Sequence, residues 1–173
     1  MEEHYEEEKP SLLRRVMVVS MGLFLVFLML STFLVWGNVG ELVAGWIESD
    51  TVNDGLVELE GYTVMFSNDT YEILQGIYNS NQQYETKVCL FGEFENAVYN
   101  ITYVYQPVIY SQQFNQVVSE ACPSDTLVAL HSHPYGHCIA SEQDLSNLVT
   151  SKEVNPNAII GVMCDYDRFS FYN

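Results

Sequence analysis

From residue 16 to residue 36 the chain runs VMVVSMGLFLVFLMLSTFLVW without one charged side chain. A helix of that length, rising about 1.5 Å per residue, crosses a hydrocarbon core of about 30 Å. The run therefore predicts a transmembrane helix over 16–36, with the acidic segment 1–15 and its basic flank before it. A cleavable signal peptide has an apolar core of only about 7–15 residues and a small-residue cleavage site directly after it. The run is longer and no clear site of that kind follows at once, so it reads as an uncleaved anchor.

Beyond the span the pattern shortens. Residues 37–60, GNVGELVAGWIESDTVNDGLVELE, mix glycine, acids and apolar residues with no sustained period, which suits a linker that carries at most a short interfacial helix. From residue 61 onward strand-like runs appear at 62–67 (YTVMFS), 86–94 (TKVCLFGEF), 97–111 (AVYNITYVYQPVIYS), 126–133 (TLVALHSH) and 158–164 (AIIGVMC). Between the first two, residues 68–82 place Ile73, Leu74, Ile77 and Tyr78 on one helical face after an Asn-Asp-Thr start, and a second helix begins at Ser141. Strands interleaved with helices predict an α/β domain over 61–173.

Composition narrows the partners. At 173 residues, 48% hydrophobic and 17% charged, the chain has material for one folded domain beside the anchor. With a net charge of −17 and only six Lys and Arg, it cannot form the phosphate contacts that nucleic-acid binding requires. Lys9, Arg14 and Arg15 precede the span, and no further Lys or Arg occurs until Lys87. Because cationic flanks resist translocation, the N-terminus is expected in the cytoplasm and the domain outside it, on a single-pass protein whose residues 16–36 contact the bilayer. Sequons at Asn68 and Asn100 suit an exterior face but add little weight. The four cysteines, Cys89, Cys122, Cys138 and Cys164, form no CxxC pair, so they indicate neither a zinc knuckle nor a thioredoxin-type couple, and their pairing stays open.

The chemistry gathers in HSHPYGHCIASEQD, residues 131–144, which holds three of the four histidines. His131 and His133, two apart at the end of a strand, point to the same side of a sheet. Pro134 ends the strand, and Asp144 in the first turn of the next helix is an oxygen donor within reach of the pair. Three protein ligands and an open fourth position describe a catalytic zinc, which binds a water and lowers its pKa to about 7. Ser-Glu-Gln-Asp at 141–144 is by itself an ordinary helix cap, and either histidine alone is more often a satisfied strand-end residue. The joint spacing favours the metal. His137 and Cys138, between the ligands, are further candidates for the metal sphere, though a loop histidine and a small apolar filler are the simpler reading.

This segment resembles, position for position, the H-x-H-P-x6-S-x2-D signature of the JAMM (MPN-plus) zinc metalloproteases. The resemblance implies one Zn²⁺ per chain on His131, His133 and Asp144, with Ser141 hydrogen-bonding the tetrahedral intermediate or the activated water. It also implies a glutamate base upstream, on a strand within an E-T-x-x-x-L-x-G-like stretch, and ETKVCLFG puts Glu85 there. Glu93 and Glu95 lie beyond Gly92, outside that pattern. The implied fold is a JAMM/MPN-like mixed β-sheet flanked by helices, covering about 61–173 behind the membrane helix. The implied activity is hydrolysis of peptide or isopeptide bonds in a protein or peptide substrate, either a ubiquitin-like conjugate or an envelope protein. The chain has little room for the insertions with which eukaryotic relatives grip ubiquitin. A non-catalytic, membrane-anchored MPN-type scaffold for a partner protein is the alternative; its mark would be a broken ligand set.

Overall fold

The computed structural model describes residues 11–36, 39–113 and 116–173. Lys9 and most of the acidic tail 1–15 lie outside the described residues. The chain forms two compact units, Met1–Gly40 and Glu41–Asn173.

The first unit contains helix α1 (Leu12–Trp36). Its segment Leu12–Thr32 is long and apolar enough to cross a membrane, and none of it is buried by the rest of the chain. The helix begins earlier than the apolar run at residue 16 and takes in Arg14 and Arg15, since both are good helix formers and nothing breaks the turn before them.

The second unit is a mixed α/β domain. Its elements in chain order are α2 (Val39–Glu48, beginning at the junction), β1 (Asp50–Thr51), β2 (Leu56–Leu59), β3 (Tyr62–Phe66), α3 (Asn68–Ser80), β4 (Lys87–Glu95), β5 (Val98–Tyr105), β6 (Ile109–Gln113), β7 (Gln116–Ser119), β8 (Val128–Ser132), a 3-10 turn (Pro134–Gly136), α4 (Glu142–Val154), β9 (Ile159–Asp165) and β10 (Arg168–Tyr172). Eight strands form one sheet in the order β1-β10-β9-β8-β4-β5-β3-β2, while β6 and β7 form a separate hairpin. The pairs β3·β5 and β8·β9 are parallel and the others antiparallel.

Two features depart from the pattern along the chain. Residues 50–59, which the sequence assigns to the linker, become strands at opposite edges of the sheet. Because β1 and β2 are joined by a tight turn, with Asp54 and Gly55 at φ 51° and 77°, the sheet must curl until its edges approach, and Asn53 bridges Leu56 there. The run 97–111 also divides at Gln106-Pro107: Pro107 has no N–H for a ladder, so β5 ends and β6 leaves for its own hairpin. Within β4 the register slips between Phe91 and Gly92, where a Cβ would overlap the Asn100 carbonyl.

Inside the curl lies the main core: Val57, Val64 and Phe66 from one edge, Phe169 and Phe171 from the other, and Leu74 and Tyr78 of α3 filling the middle. The Tyr78 hydroxyl donates to the Cys164 carbonyl at 2.7 Å. The outer face is smaller, with Leu148 of α4 and Ala140 packed on Ile160 and Val162. β9 is buried along almost all its length because both faces are covered, as expected for a strand paired in parallel at the sheet centre. Alternation assigns the faces on β8: Val128 and Leu130 point into the main core and Ala129 toward α4. His131 and, one step past the strand end, His133 share the α4 side.

Candidate metal centre

Four side chains from three stretches of chain meet where β8 ends. Lys87 pairs with His131 across β4 and β8, so alternation puts both on the α4 side, and Glu85, two residues earlier, follows the same parity. Glu85 lies just ahead of β4 rather than within a strand, because its backbone is held by the hairpin. Its N–H donates to Gln113 O at 3.0 Å, and Gln112 Nε2 donates to its carbonyl at 2.8 Å. On the other flank Ser132 locks Thr86: the Ser132 N–H donates to Thr86 O at 2.8 Å, and the Thr86 N–H donates to Ser132 Oγ at 3.1 Å. Glu85 is thereby fixed and 7% exposed. Glu93 and Glu95 stand exposed at the far end of β4, opposite Asn100 and Val98.

Asp144 arrives by a local route. The Ser141 side chain accepts from the Asp144 N–H at 3.2 Å, and Asp144 Oδ2 accepts from the Ser141 N–H at 2.9 Å and from its hydroxyl at 2.6 Å. This capping box starts α4 and aims the carboxylate at β8. The loop before it is tied down by a Cys138–Cys164 disulfide to β9, by the Ser170 hydroxyl donating to Cys138 O at 2.6 Å, and by the Ala140 N–H donating to Tyr172 Oη at 3.1 Å. With its sulfur in the disulfide, Cys138 is no metal ligand. A second disulfide joins Cys89 to Cys122.

The donor atoms converge. Glu85, His131 and His133 offer ligand atoms within 4.8 Å of one another, the one such group among the described residues. His133 Nε2 lies 2.9 Å from Glu85 Oε1, and His131 Nε2 lies 3.3 Å from Asp144 Oδ2. His133 Nδ1 sits 3.0 Å from the His137 carbonyl. A carbonyl only accepts, so Nδ1 carries the hydrogen and Nε2 presents a lone pair in the neutral ring. A lone pair facing a carboxylate at 2.9 Å needs a proton or a cation between them. His137 Nδ1 lies 3.3 Å from the same His133 Nδ1, and His137 stands beside the convergent group of Glu85, His131 and His133, where its carbonyl orients the His133 ring.

His131 Nε2 tests the fit of a metal. It is buried and faces the Asp144 carboxylate without a well-aligned hydrogen bond. Two ligand atoms each about 2.0–2.2 Å from one tetrahedral ion stand about 3.3–3.6 Å apart, and the His131–Asp144 separation of 3.3 Å lies at the short end of that range. Two imidazole nitrogens and the Asp144 carboxylate fit a zinc ion by donor type as well.

The local field agrees. Burial alone would raise the Asp144 carboxyl, but the His131 ring and the Ser141 hydroxyl and amide outweigh it and hold the group well below the usual carboxylate range. Lys87 was not singled out from the sequence, although its place two residues after Glu85 was the available signal. Burial pulls its amine below the ordinary lysine value while the Asp144 charge opposes that shift, so a half-buried cation borders the cluster. The chain matches no protein-family model and no curated protein.

Proposed function

We propose that the chain is a membrane-anchored zinc metallopeptidase of the JAMM type, with a JAMM/MPN-like domain that hydrolyses peptide or isopeptide bonds outside the cytoplasm. The observation that carries this reading is the convergence of buried His131 Nε2, facing Asp144 at 3.3 Å without a well-aligned hydrogen bond, and a His133–Glu85 pair that needs a proton or cation between its facing atoms. His131, His133 and Asp144 would hold the ion. Bound there, zinc supplies the Lewis acidity that makes a water nucleophilic near neutral pH.

The chain's own groups do the remaining work. Glu85 is anchored through its backbone by Gln112 and Gln113, which leaves the carboxylate to accept a proton from the attacking water and return it to the leaving amine. The Ser141 hydroxyl donates to Asp144 Oδ2, and it serves a developing oxyanion by turning away from that carboxylate. Lys87 adds positive charge beside the centre and favours the same anionic state. His137 holds the His133 ring in one tautomer through its carbonyl.

Sidedness is supported twice. Arg14 and Arg15 flank the span on its N-terminal side, and the domain pairs all four cysteines, chemistry that belongs to an oxidising compartment.

The test is metal content. Full-length protein purified in detergent is expected to hold one zinc per chain and to cleave peptide substrates, and His131→Ala or His133→Ala should lower both. Unmutated, folded protein that binds no zinc would overturn the proposal.

A further inference from the structure

Helix α2 presents an apolar face to solvent immediately after the span. Leu42, Val43, Trp46 and Ile47 are 38%, 54%, 68% and 82% exposed, and their spacing puts them on one side of a helix turning about 100° per residue. Gly45 and Ser49, four apart, form a different side and are buried against the domain. At Gly45 the approach is so close that a Cβ would come within 3.1 Å of Cys138 N. Arg168 of β10 clamps the same helix, donating to Trp46 O at 3.2 Å and to Ser49 O at 3.0 Å with its guanidinium 5.3 Å from the Trp46 ring centroid. The helix is thus held in one rotation, and that rotation leaves the large apolar side chains uncovered.

Chain connectivity says what covers them. Only Gly37 and Asn38 separate α1 from α2, and so short a segment spans at most about 10 Å. A helix that leaves a bilayer on such a tether starts in the interfacial layer, where tryptophan is enriched and where apolar helix faces bury themselves. α2 itself carries no Lys or Arg, and Arg168 beside it commits its guanidinium to the Trp46 and Ser49 carbonyls and the Ser49 and Thr51 hydroxyls, so apolar burial, not attraction to anionic headgroups, drives the contact.

We propose that Leu42, Val43, Trp46 and Ile47 insert into the interface of the bilayer that α1 crosses, and that this docking restricts the candidate metal centre to membrane-proximal segments of other membrane proteins. The second part rests on the metallopeptidase reading. Cys138, against which Gly45 packs, adjoins His137, whose Nδ1 lies 3.3 Å from His133 Nδ1, so the loop that orients a candidate ligand rests on the docked helix. A soluble protein free to diffuse in any orientation gains nothing from this placement. A chain emerging from the same membrane is presented at the right height.

Trp46 is the reporter, because Trp36→Phe leaves it the sole tryptophan of the full-length chain. In phosphatidylcholine vesicles, lipid brominated near the headgroup end of its acyl chains should quench Trp46, and aqueous iodide should not. Leu42→Ser, Val43→Ser and Ile47→Ser together should reverse that pattern while zinc content stays unchanged. Added phosphatidylglycerol should not strengthen the bromine quenching. Free iodide access without bromine quenching overturns the docking, and so does shielding from both quenchers, which would mean that protein covers the face. Lipid-buried Trp46 in a protein that binds no zinc sinks the peptidase reading alone, and zinc-loaded protein with Trp46 in water sinks the docking alone. For the substrate class, a peptide anchored to the vesicle by a short tether should be cleaved faster than the same peptide free in solution. Equal rates would overturn that part.

Discussion

Glu85 Oε1 lies 2.9 Å from His133 Nε2, although one residue precedes β4 and the other follows β8. The pairing puts the acceptor beside the ring nitrogen that would face a metal. Glu85→Gln keeps the shape and the backbone bonds to Gln112 and Gln113 but cannot take up a proton, so zinc should stay and hydrolysis should fall by about 10²–10⁴-fold. Glu93→Gln, at the exposed far end of β4, should leave the rate unchanged. Peptide cleavage measured beside metal analysis checks both, and activity that survives the first change and is lost in the second would reassign the base.

Asp144 both caps α4 and points at His131, and the two roles separate by mutation. Ser141→Ala removes the hydroxyl that accepts from the Asp144 N–H, at a cost of about 1 kcal/mol, and should leave zinc content intact. Asp144→Ala should lower thermal stability and zinc content together. Equal zinc content in the two variants would remove Asp144 from the ligand set.

The disulfides close separations of 33 residues (Cys89–Cys122) and 26 residues (Cys138–Cys164). By loop entropy each should stabilise the domain by about 3–4 kcal/mol. Unreduced, denatured protein should therefore show no thiol reactive toward maleimide. Paired replacement of Cys138 and Cys164 by serine should lower the melting temperature and also weaken zinc binding, because that bond ties the ligand loop to β9. Replacement of Cys89 and Cys122 should lower the melting temperature alone.

Burial first, and then the Asp165 charge, raise the Tyr78 phenol from 10.0 to about 12. Between those values the folded state keeps a proton that the unfolded chain releases, so stability present below pH 10 is lost as pH rises toward 12. Tyr78→Phe removes the bond to Cys164 O, which should cost about 1 kcal/mol at neutral pH. It should also reduce that alkaline slope, leaving the contributions of Tyr62, which burial likewise raises to about 12, and of Tyr71, Tyr99 and Tyr172, which burial also raises. Denaturant melts from pH 8 to pH 11.5 measure both effects.

Protease added to intact cells or spheroplasts should digest the domain and spare a cytoplasmic marker. Digestion only after lysis would reverse the orientation drawn from Arg14 and Arg15.

What could be read from the chain alone was short in range. The apolar run required no partner to declare a helix long and apolar enough to cross a membrane, and the strand ending in His131-Ser132-His133 set both imidazoles on one face by alternation. Ser141 and Asp144 are three residues apart and form their cap by local hydrogen bonds. The Leu74–Tyr78 face of α3 was legible for the same reason, whereas the helix is capped by Ser67, the last residue of the strand-like run 62–67.

What the tertiary structure decided needed distant chain to meet. Glu85 reaches His133 only because β4 and β8 pair in the register Lys87–His131, and only because a hairpin from beyond Pro107 holds its backbone. Residues 50–59 lack the length and alternation of strands, and they become edges because β10 and β3 offer them open ladders. Four cysteines allow three pairings, which sequence spacing does not rank; the curl of the sheet brings together the two that form. Lys87 became part of the site through a cross-strand neighbour, a relation fixed by register and so invisible until the strands are paired.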